Sequence, residues 1–232
     1  IENGVYTYCT LTPYGRAEMV KLKAINADEM YINGDYSYKN YLSLSKEELL
    51  MILHWRNHPS IRSKMNNTSE ISVESHLQYV ENLKDRTDAV YWLVLYKDIP
   101  IGTLNIIDID WENKICEPGF YLSPEVMGKG ESIFFLYNYK SFLLNVIGFE
   151  KLIGHNYLDN LSALQFTIFF GADITDVTEV NNRLNVSSCL VKESFNQLTS
   201  QRLISKYMKF LKTWNINDIL GKYEVFKKYA EE

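Results

Sequence analysis

Alternation of apolar and polar residues predicts strands at the start of the chain. The stretches from Val5 to Thr12 and from Met19 to Ile25 alternate with a period of two and are rich in aromatic and β-branched residues. Pro13 to Gly15 separates them with residues typical of a turn, so a β-hairpin is expected. A second turn signal, Asn33 to Asp35, precedes another alternating run from Tyr36 to Leu42.

The pattern then changes to helical spacing. Ser45, followed by Glu47 and Glu48, is typical of a helix N-terminus, because a serine hydroxyl caps free amides and carboxylates favour the helix dipole. Pro59 predicts the end of this helix. Ser72 predicts the start of a second helix, whose apolar residues recur at helical spacing.

The period returns to two in the middle of the chain. The runs 90–96 and 99–109 predict an antiparallel pair of strands, and a third strand is predicted over 115–122. Pro118 and Gly119 lie inside that third run. Because proline cannot donate to a strand ladder, this dipeptide predicts a bulge or a splay of the strand.

The last part of the chain alternates between helices and strands. The predicted elements are helices over 132–145 and 161–170, strands over 151–156, 173–180 and 185–191, and helices beyond 194 with an interruption at 214–217. This order predicts an α+β fold with a mostly antiparallel central sheet flanked by helices. We divide the chain into an N-terminal extension (1–33), a main domain (34–193) and a C-terminal helical extension (194–232).

Composition narrows the class of protein. With 46% hydrophobic and 23% charged residues among 232, the chain is not a long disordered or low-complexity protein. A net charge of -5 argues against nucleic acid or an anionic membrane surface as a partner. Three scattered cysteines indicate a reducing compartment, and no run reaches the roughly 20 apolar residues that span a bilayer. We therefore expect a soluble cytoplasmic protein.

The segment 120–132 is the first candidate for chemistry. A predicted strand leads into a loop with Gly128 and Gly130, and a helix begins directly after it. Glycines let successive amides point into one concavity, and the helix N-terminus adds partial positive charge. The stretch from Val126 to Ser132 is therefore predicted to cradle a pyrophosphate, although an ordinary strand-to-helix turn uses glycines in the same way.

The order of the predicted elements resembles that of the GNAT superfamily of acyl-CoA N-acyltransferases: a strand, a glycine loop, a helix, a second strand, Asn160 and a second helix. Further stretches resemble, in order and spacing, the GNAT enzymes of pseudaminic acid biosynthesis: 36–41, 55–59, 71–77 and 119–121. The similarity covers about residues 35–191, and the Arg-Asn-His-Pro run at 56–59 is its most specific part. Two positions depart from the GNAT pattern: Glu125 replaces Gln or Arg, and Thr167 replaces the usual tyrosine near the CoA sulfur.

The resemblance implies a GNAT-like fold in which two splayed strands form the acyl-CoA cleft. It implies acetyl transfer from acetyl-CoA to the 4-amino group of a UDP-linked amino sugar, a precursor of flagellin glycans. The residues that it predicts to bind acetyl-CoA are Tyr121, Leu122, Met127, Gly128, Lys129, Gly130, Glu131, Ser132 and Asn160. Those predicted to bind the nucleotide-linked amino sugar are Arg56, Asn57, His58 and His76.

Amine attack on a thioester requires a neutral amine, a donor for the developing oxyanion and an acid for the leaving thiolate. His76 and Glu117 are the candidate bases. The resemblance implies that a backbone N–H near Tyr121 or Leu122 holds the acetyl carbonyl. The acid is Tyr121 or another tyrosine, unless the thiolate leaves unassisted. A structural role for either base stays open, as does a bound water in place of both. His54 and His155 are interpreted as isolated, and since no metal-ligand spacing occurs, no metal is expected.

Two other functions fit the same residues. A GNAT enzyme of this kind could take a protein N-terminus or a small amine such as a polyamine as the acceptor. A noncatalytic CoA-binding module is the third hypothesis, since Thr167 lacks the acidity of a tyrosine. The sequence leaves a homodimer open.

Overall fold

The computed structural model describes residues 7–11, 17–21, 25–65, 67–128, 132–180 and 182–231. Its strands are β1 (Thr7–Leu11), β2 (Ala17–Lys21), β3 (Tyr31–Asn33), β4 (Tyr36–Asn40), β5 (Val90–Tyr96), β6 (Ile99–Asp110), β7 (Ile115–Leu122), β8 (Lys151–Tyr157), β9 (Asp173–Val180) and β10 (Arg183–Val191). β1 and β2 pair antiparallel in a small sheet of their own, so the predicted first hairpin is confirmed. The turn predicted at 13–15 lies outside the described residues.

The main sheet has eight described strands in the order β3-β4-β5-β6-β7-β8-β10-β9. Every neighbouring pair in it is antiparallel except β7 and β8, which are parallel. The α+β class and the mostly antiparallel sheet are therefore confirmed. Gly34 has φ +63 in the turn between β3 and β4, a left-handed conformation that glycine adopts without strain.

The helices follow the predicted caps. They are α1 (Lys46–Asn57), α2 (Pro59–Arg62), α3 (Val73–Asn82), α4 (Ser132–Ser141), α5 (Leu161–Phe169), α6 (Lys192–Asn196), α7 (Leu203–Thr213), α8 (Ile216–Leu220) and α9 (Glu224–Glu231). Ser45 and Glu48 form a reciprocal capping box at the start of α1, with hydrogen bonds of 3.2 and 2.8 Å. Pro59 ends α1 as predicted and also occupies the first turn of α2.

Helices cover both faces of the main sheet. Leu93 packs with α1 and α3, whereas its neighbours Trp92 and Val94 pack in the cluster that contains α4. Because successive side chains of a strand point to opposite faces, the two groups of helices lie on opposite sides of the sheet. α4 continues as a π-helix, Phe142–Ile147, which Gly148 ends at φ +100.

The C-terminal helices contribute to the core. Phe195 and Leu203 are buried in the α4 cluster, while Leu220 and Phe226 are buried with residues of β9 and β10. The predicted interruption near Trp214 is confirmed, since α7 ends at Thr213 and α8 begins at Ile216.

β7 and β8 part soon after they begin. Their parallel pairing is confined to Ile115 with Lys151 and Cys116 with Leu152. Beyond these pairs β7 stays bonded to β6 while β8 stays bonded to β10, so a gap opens within the sheet. The splay predicted at Pro118 is confirmed. The bulge is not, because the irregularity of this strand pair lies in β6 between Ile107 and Asp110.

Candidate active site

A cavity of about 110 Å³ lies in the gap between β7 and β8 and opens to solvent. Its walls come from the two strands, from α4 and α5 behind them, and from β10. The lining residues that bear on the chemistry are Glu117, Phe120, Tyr139, Lys140, His155 and Thr167. The concave shape and the mainly apolar walls suit a narrow slot for a small-molecule chain rather than a macromolecular surface.

Glu117 and His155 face each other across the mouth of this gap. The Oε2 atom of Glu117 on β7 lies 2.8 Å from Nδ1 of His155 on β8, and both side chains are in part solvent-accessible. An ionised carboxylate only accepts hydrogen bonds, so Nδ1 carries the proton and Nε2 is the free basic atom. The interpretation of His155 as isolated is therefore wrong: the fold brings it into contact with a candidate base.

The backbone of β7 has amides that face the gap. Ser123 donates its amide to the carbonyl of Ile101 on β6 at 2.8 Å. Amides alternate in direction along an antiparallel pair, so the N–H groups of Phe120 and Leu122 point away from β6 and toward the opening. The backbone nitrogen of Pro118 also points away from β6, so its lack of an N–H removes no hydrogen bond to that strand. Leu122 thus fits a predicted backbone contact, whereas the amide of Tyr121 points to β6.

The glycine loop is described only in part. The amides of Val126 and Met127 both donate to the Ser123 carbonyl, at 3.1 and 3.0 Å, so they are used within the turn. Gly128 follows with φ +82. Lys129, Gly130 and Glu131 lie outside the described residues, and Ser132 begins α4. The predicted pyrophosphate cradle therefore depends on the amides from Gly128 onward.

Tyr121 lies on the opposite face of the sheet from α4. It packs in the cluster of α1 and α3 with its hydroxyl close to Thr103 and Tyr41, and it is not part of the cavity lining. Burial raises the pKa of Tyr121 to about 12. His76 is buried in α3 near the Leu49 backbone, and burial lowers its pKa, so the ring is neutral at pH 7. It also does not line the cavity.

Arg56 lies in the last turn of α1 near Tyr121, on the same side of β7. Its Nη2 donates to the Asn67 carbonyl at 2.7 Å, while Nη1 is buried without a partner in the described part of the chain. Burial lowers the pKa of Arg56, and Tyr121 opposes that effect. A guanidinium with an unused buried donor is suited to an anionic ligand, because it would supply the missing acceptor.

Asn57 and His58 have structural contacts. Asn57 donates to the Ile71 carbonyl at 2.8 Å and accepts from the Ile71 amide at 2.9 Å, which ties α1 to the segment before α3. His58 lies between α1 and α2, where its Nδ1 accepts from the Ser60 amide at 3.3 Å and caps α2. These contacts account for both residues without a ligand.

The structural role of Asn57 gives a first prediction. Asn57→Ala is expected to lower the free energy of unfolding by about 1–3 kcal/mol, because both backbone groups of Ile71 lose their partner. Urea titration followed by circular dichroism measures this loss. Asn82→Ala is the matched control, since its exposed side chain accepts a hydrogen bond from Gln78. Equal stability of the two variants would contradict the role.

The wall formed by α4 and α5 contains a residue that sequence reasoning passed over. Lys140 is buried, its Nζ donates to the Tyr139 hydroxyl, and it lines the cavity together with Thr167. The available signal was that Lys140 is the single charged residue of α4. Asn160, a predicted acetyl-CoA contact, caps α5, where its side chain accepts from the Ala163 amide at 3.4 Å.

Two absences apply to the described residues. None of their helices is both long and apolar enough to cross a membrane. No group of three or more His, Cys, Asp or Glu side chains among them is arranged to hold a metal ion.

Comparison with known proteins assigns the class. No family model matches the chain. Over 137 residues it is 31% identical to acetyltransferase PseH of Campylobacter jejuni, an alignment that covers 56% of this chain and 84% of that protein. The crystal structure of the Campylobacter jejuni N-acetyltransferase PseH in complex with acetyl coenzyme A superposes with a TM-score of 0.52 at 22% identity, covering 67% of this chain and 98% of that one.

A further structure supports the fold. The spermidine N-acetyltransferase of Vibrio cholerae in complex with CoA and spermine has a TM-score of 0.60 at 16% identity, covering 71% of this chain and 99% of that one. The splayed strands and these similarities define a GNAT-type acetyltransferase. Within that class, the chain belongs to the family of acetyltransferase PseH. Acetyl-CoA is the acetyl donor of such enzymes.

Proposed function

We propose that the protein transfers the acetyl group of acetyl-CoA to the 4-amino group of a UDP-linked amino sugar. The reaction would belong to pseudaminic acid biosynthesis and so to flagellin glycosylation. The observation that carries the proposal is the gap between β7 and β8 with Glu117 and His155 at its mouth, in a chain of the PseH family. Three further points stay predictions: a cytoplasmic location, the absence of nucleic-acid and membrane partners, and a homodimer.

The donor side of the reaction uses the backbone of β7. The Phe120 and Leu122 amides would donate to the carbonyl oxygen of the thioester, where negative charge develops as the amine attacks. The apolar walls of the gap would enclose the pantetheine chain, and Gly128 to Ser132 would hold the phosphates. Fixed donors of this kind lower the barrier because they need no reorganisation during the reaction.

The proton of the attacking amine would go to the Glu117 and His155 pair. Nε2 of His155 is the free basic atom, and Glu117 fixes the tautomer and orientation of the ring through Nδ1. Direct transfer between the two substrates fits the site better than an acyl-enzyme. Cys116, the thiol nearest to the gap on β7, is buried, and burial raises its pKa well above its ordinary value.

The acceptor would be oriented by Arg56. Its unpaired buried Nη1 would donate to the diphosphate of a nucleotide sugar, on the face of β7 opposite to α4. Polyamines and peptide N-termini have no diphosphate and would gain nothing from this guanidinium. This feature therefore favours the nucleotide-linked sugar over the small-amine alternative.

Acetyl transfer from radiolabelled acetyl-CoA tests the proposal. We expect turnover with a UDP-4-amino sugar and much lower kcat/KM with spermidine or an N-terminal peptide. If the enzyme acetylates spermidine but not the UDP-4-amino sugar, the acceptor is a small amine and not a nucleotide-linked sugar. Tight CoA binding with no turnover of any amine, at a pH where the amine is neutral, would favour the noncatalytic module.

Arg56→Met gives a prediction about the acceptor. The variant is expected to raise KM for the nucleotide sugar roughly 10- to 100-fold, because one charge-assisted hydrogen bond to the substrate is lost. KM for acetyl-CoA is expected to change little. Initial-rate kinetics with each substrate varied in turn separate the two constants. Arg86→Met is the control, because Arg86 pairs with Asp88 in an exposed ion pair. Equal KM values in both variants would remove Arg56 from the acceptor site.

A further inference from the structure

Lys140 places a buried amine in the wall of the cavity. Its Nζ donates to the Tyr139 hydroxyl and lies 4.2 Å from the centre of the Tyr139 ring and 5.1 Å from that of Phe170. Salt bridges in the described part of the chain do not include it, so no carboxylate there balances its charge. A lone buried ammonium is costly for folding, and a group of this kind that borders a cleft is a candidate for function.

Several elements around Lys140 contribute other titratable groups to the core or to the cavity wall. Tyr139 on its own helix and Cys116 on β7 belong to the same core cluster, whereas Glu117 and His155 line the cavity from strand positions that point to the other face of the sheet. α5 contributes Thr167 and apolar rings that do not titrate near pH 7. Burial lowers the pKa of Lys140 to about 7. Burial also raises the pKa of Tyr139 well above its ordinary value, so that phenol is a poor acid.

The departing thiolate has no acid on α5. Thr167 lines the cavity, and a threonine hydroxyl cannot give up its proton near neutral pH. Glu117 and His155 are engaged with each other at the mouth of the gap, where they would receive a proton rather than supply one. Lys140 is the cavity-lining group whose acidity suits a proton donor at the operating pH.

We propose that Lys140 protonates the sulfur of coenzyme A as the acetyl group leaves, taking the part that Thr167 cannot play. This inference rests on the proposed function. The amine nitrogen bonds to the thioester carbon, the C–S bond breaks, and its electron pair goes to sulfur. A proton then passes from the Lys140 ammonium to that sulfur, which leaves CoA as a thiol and Lys140 as a neutral amine that regains a proton from solvent.

The central test replaces Lys140 by methionine, which preserves the length of the side chain. We expect kcat at pH 7 to fall roughly 100-fold, the lower end of what a general acid contributes, while KM for acetyl-CoA changes little. The wild-type kcat is expected to decline as pH rises above about 7, because the ammonium loses its proton, and Lys140→Met is expected to lose this decline. Lys209→Met, an exposed change on α7, is the control.

Folding of the variant can be checked in the same series. The pKa of Lys140 is lower in the folded chain than in the unfolded chain, so the unfolded chain binds more protons between pH 7 and the ordinary lysine range. The wild type therefore loses stability as pH falls through that window, and Lys140→Met does not. At pH 7 the variant is expected to melt at a higher temperature than the wild type.

A rescue experiment separates catalysis from structure. Adding Thr167→Tyr to Lys140→Met supplies a phenol at the usual GNAT position and is expected to restore part of kcat. A folded Lys140→Met enzyme with the wild-type kcat, or with a reduced kcat but an unchanged pH profile, would overturn the inference. A double variant that binds acetyl-CoA but gains no rate would also count against it. If the wild type acetylates no amine at all, the proposed function itself has failed.

Discussion

Glu117→Gln is expected to lower kcat by about 10²- to 10⁴-fold, the range typical for loss of general base catalysis. Glutamine has nearly the same shape as glutamate and still reaches His155, so the mouth of the gap keeps its geometry. It carries no negative charge, however, and cannot stabilise the imidazolium that forms when Nε2 takes the proton. The effect should therefore appear in kcat, with KM for acetyl-CoA close to that of the wild type.

Pre-steady-state and steady-state kinetics over a range of pH measure this effect. Glu179→Gln, on exposed β9, is the control and is expected to behave as the wild type. His155→Asn distinguishes two forms of the mechanism. A loss similar to that of Glu117→Gln identifies His155 as the base, whereas a small loss identifies Glu117 itself. Wild-type kcat in both variants would exclude the pair from catalysis.

Phe142→Ala is expected to have the largest effect on stability, a loss of about 3–5 kcal/mol in the free energy of unfolding. The ring has no solvent exposure and lies in the π-helix that follows α4. It stacks on Tyr38 with ring centres 3.9 Å apart and meets Trp92 edge-on at 5.6 Å. Truncation would remove these contacts and leave a cavity between the helix and the main sheet.

Chemical denaturation of Phe142→Ala and the wild type measures the difference. Phe134→Ala is the matched control, because Phe134 lies in the same run of helix with 41% of its surface exposed and should change stability by less than about 1 kcal/mol. Similar losses for both variants would show that Phe142 does not anchor the helix to the sheet.

Most of the elements could be predicted because their signals are local. Alternation with a period of two identified β5, β6 and β7, and the caps at Ser45 and Ser72 identified the starts of α1 and α3. β3 was missed, since a strand of three residues is too short to show a period. The splay could be anticipated because Pro118 cannot bond to a neighbour on the side where β8 would lie.

The side chains at the site were harder to anticipate. Glu117 was predicted, but its partner His155 is 38 residues away, and the contact depends on how far β7 and β8 diverge. Asn57 was predicted to bind substrate, and the sequence does not show that its side-chain amide meets the Ile71 backbone. His76 and Tyr121 were assigned by residue type, while their distance from the cavity depends on which face of an element they occupy.

The sequence by itself therefore determined the class of fold, the order of its elements and the place of the cleft, because dihedral preferences, caps and periodicity act between residues close in the chain. Only the tertiary structure decided which titratable groups share the cleft. It joined Glu117 to His155, buried Lys140 without a counter-ion among the described residues and turned Tyr121 to the other face. These outcomes depend on strand register and on packing between distant segments, which no local pattern encodes.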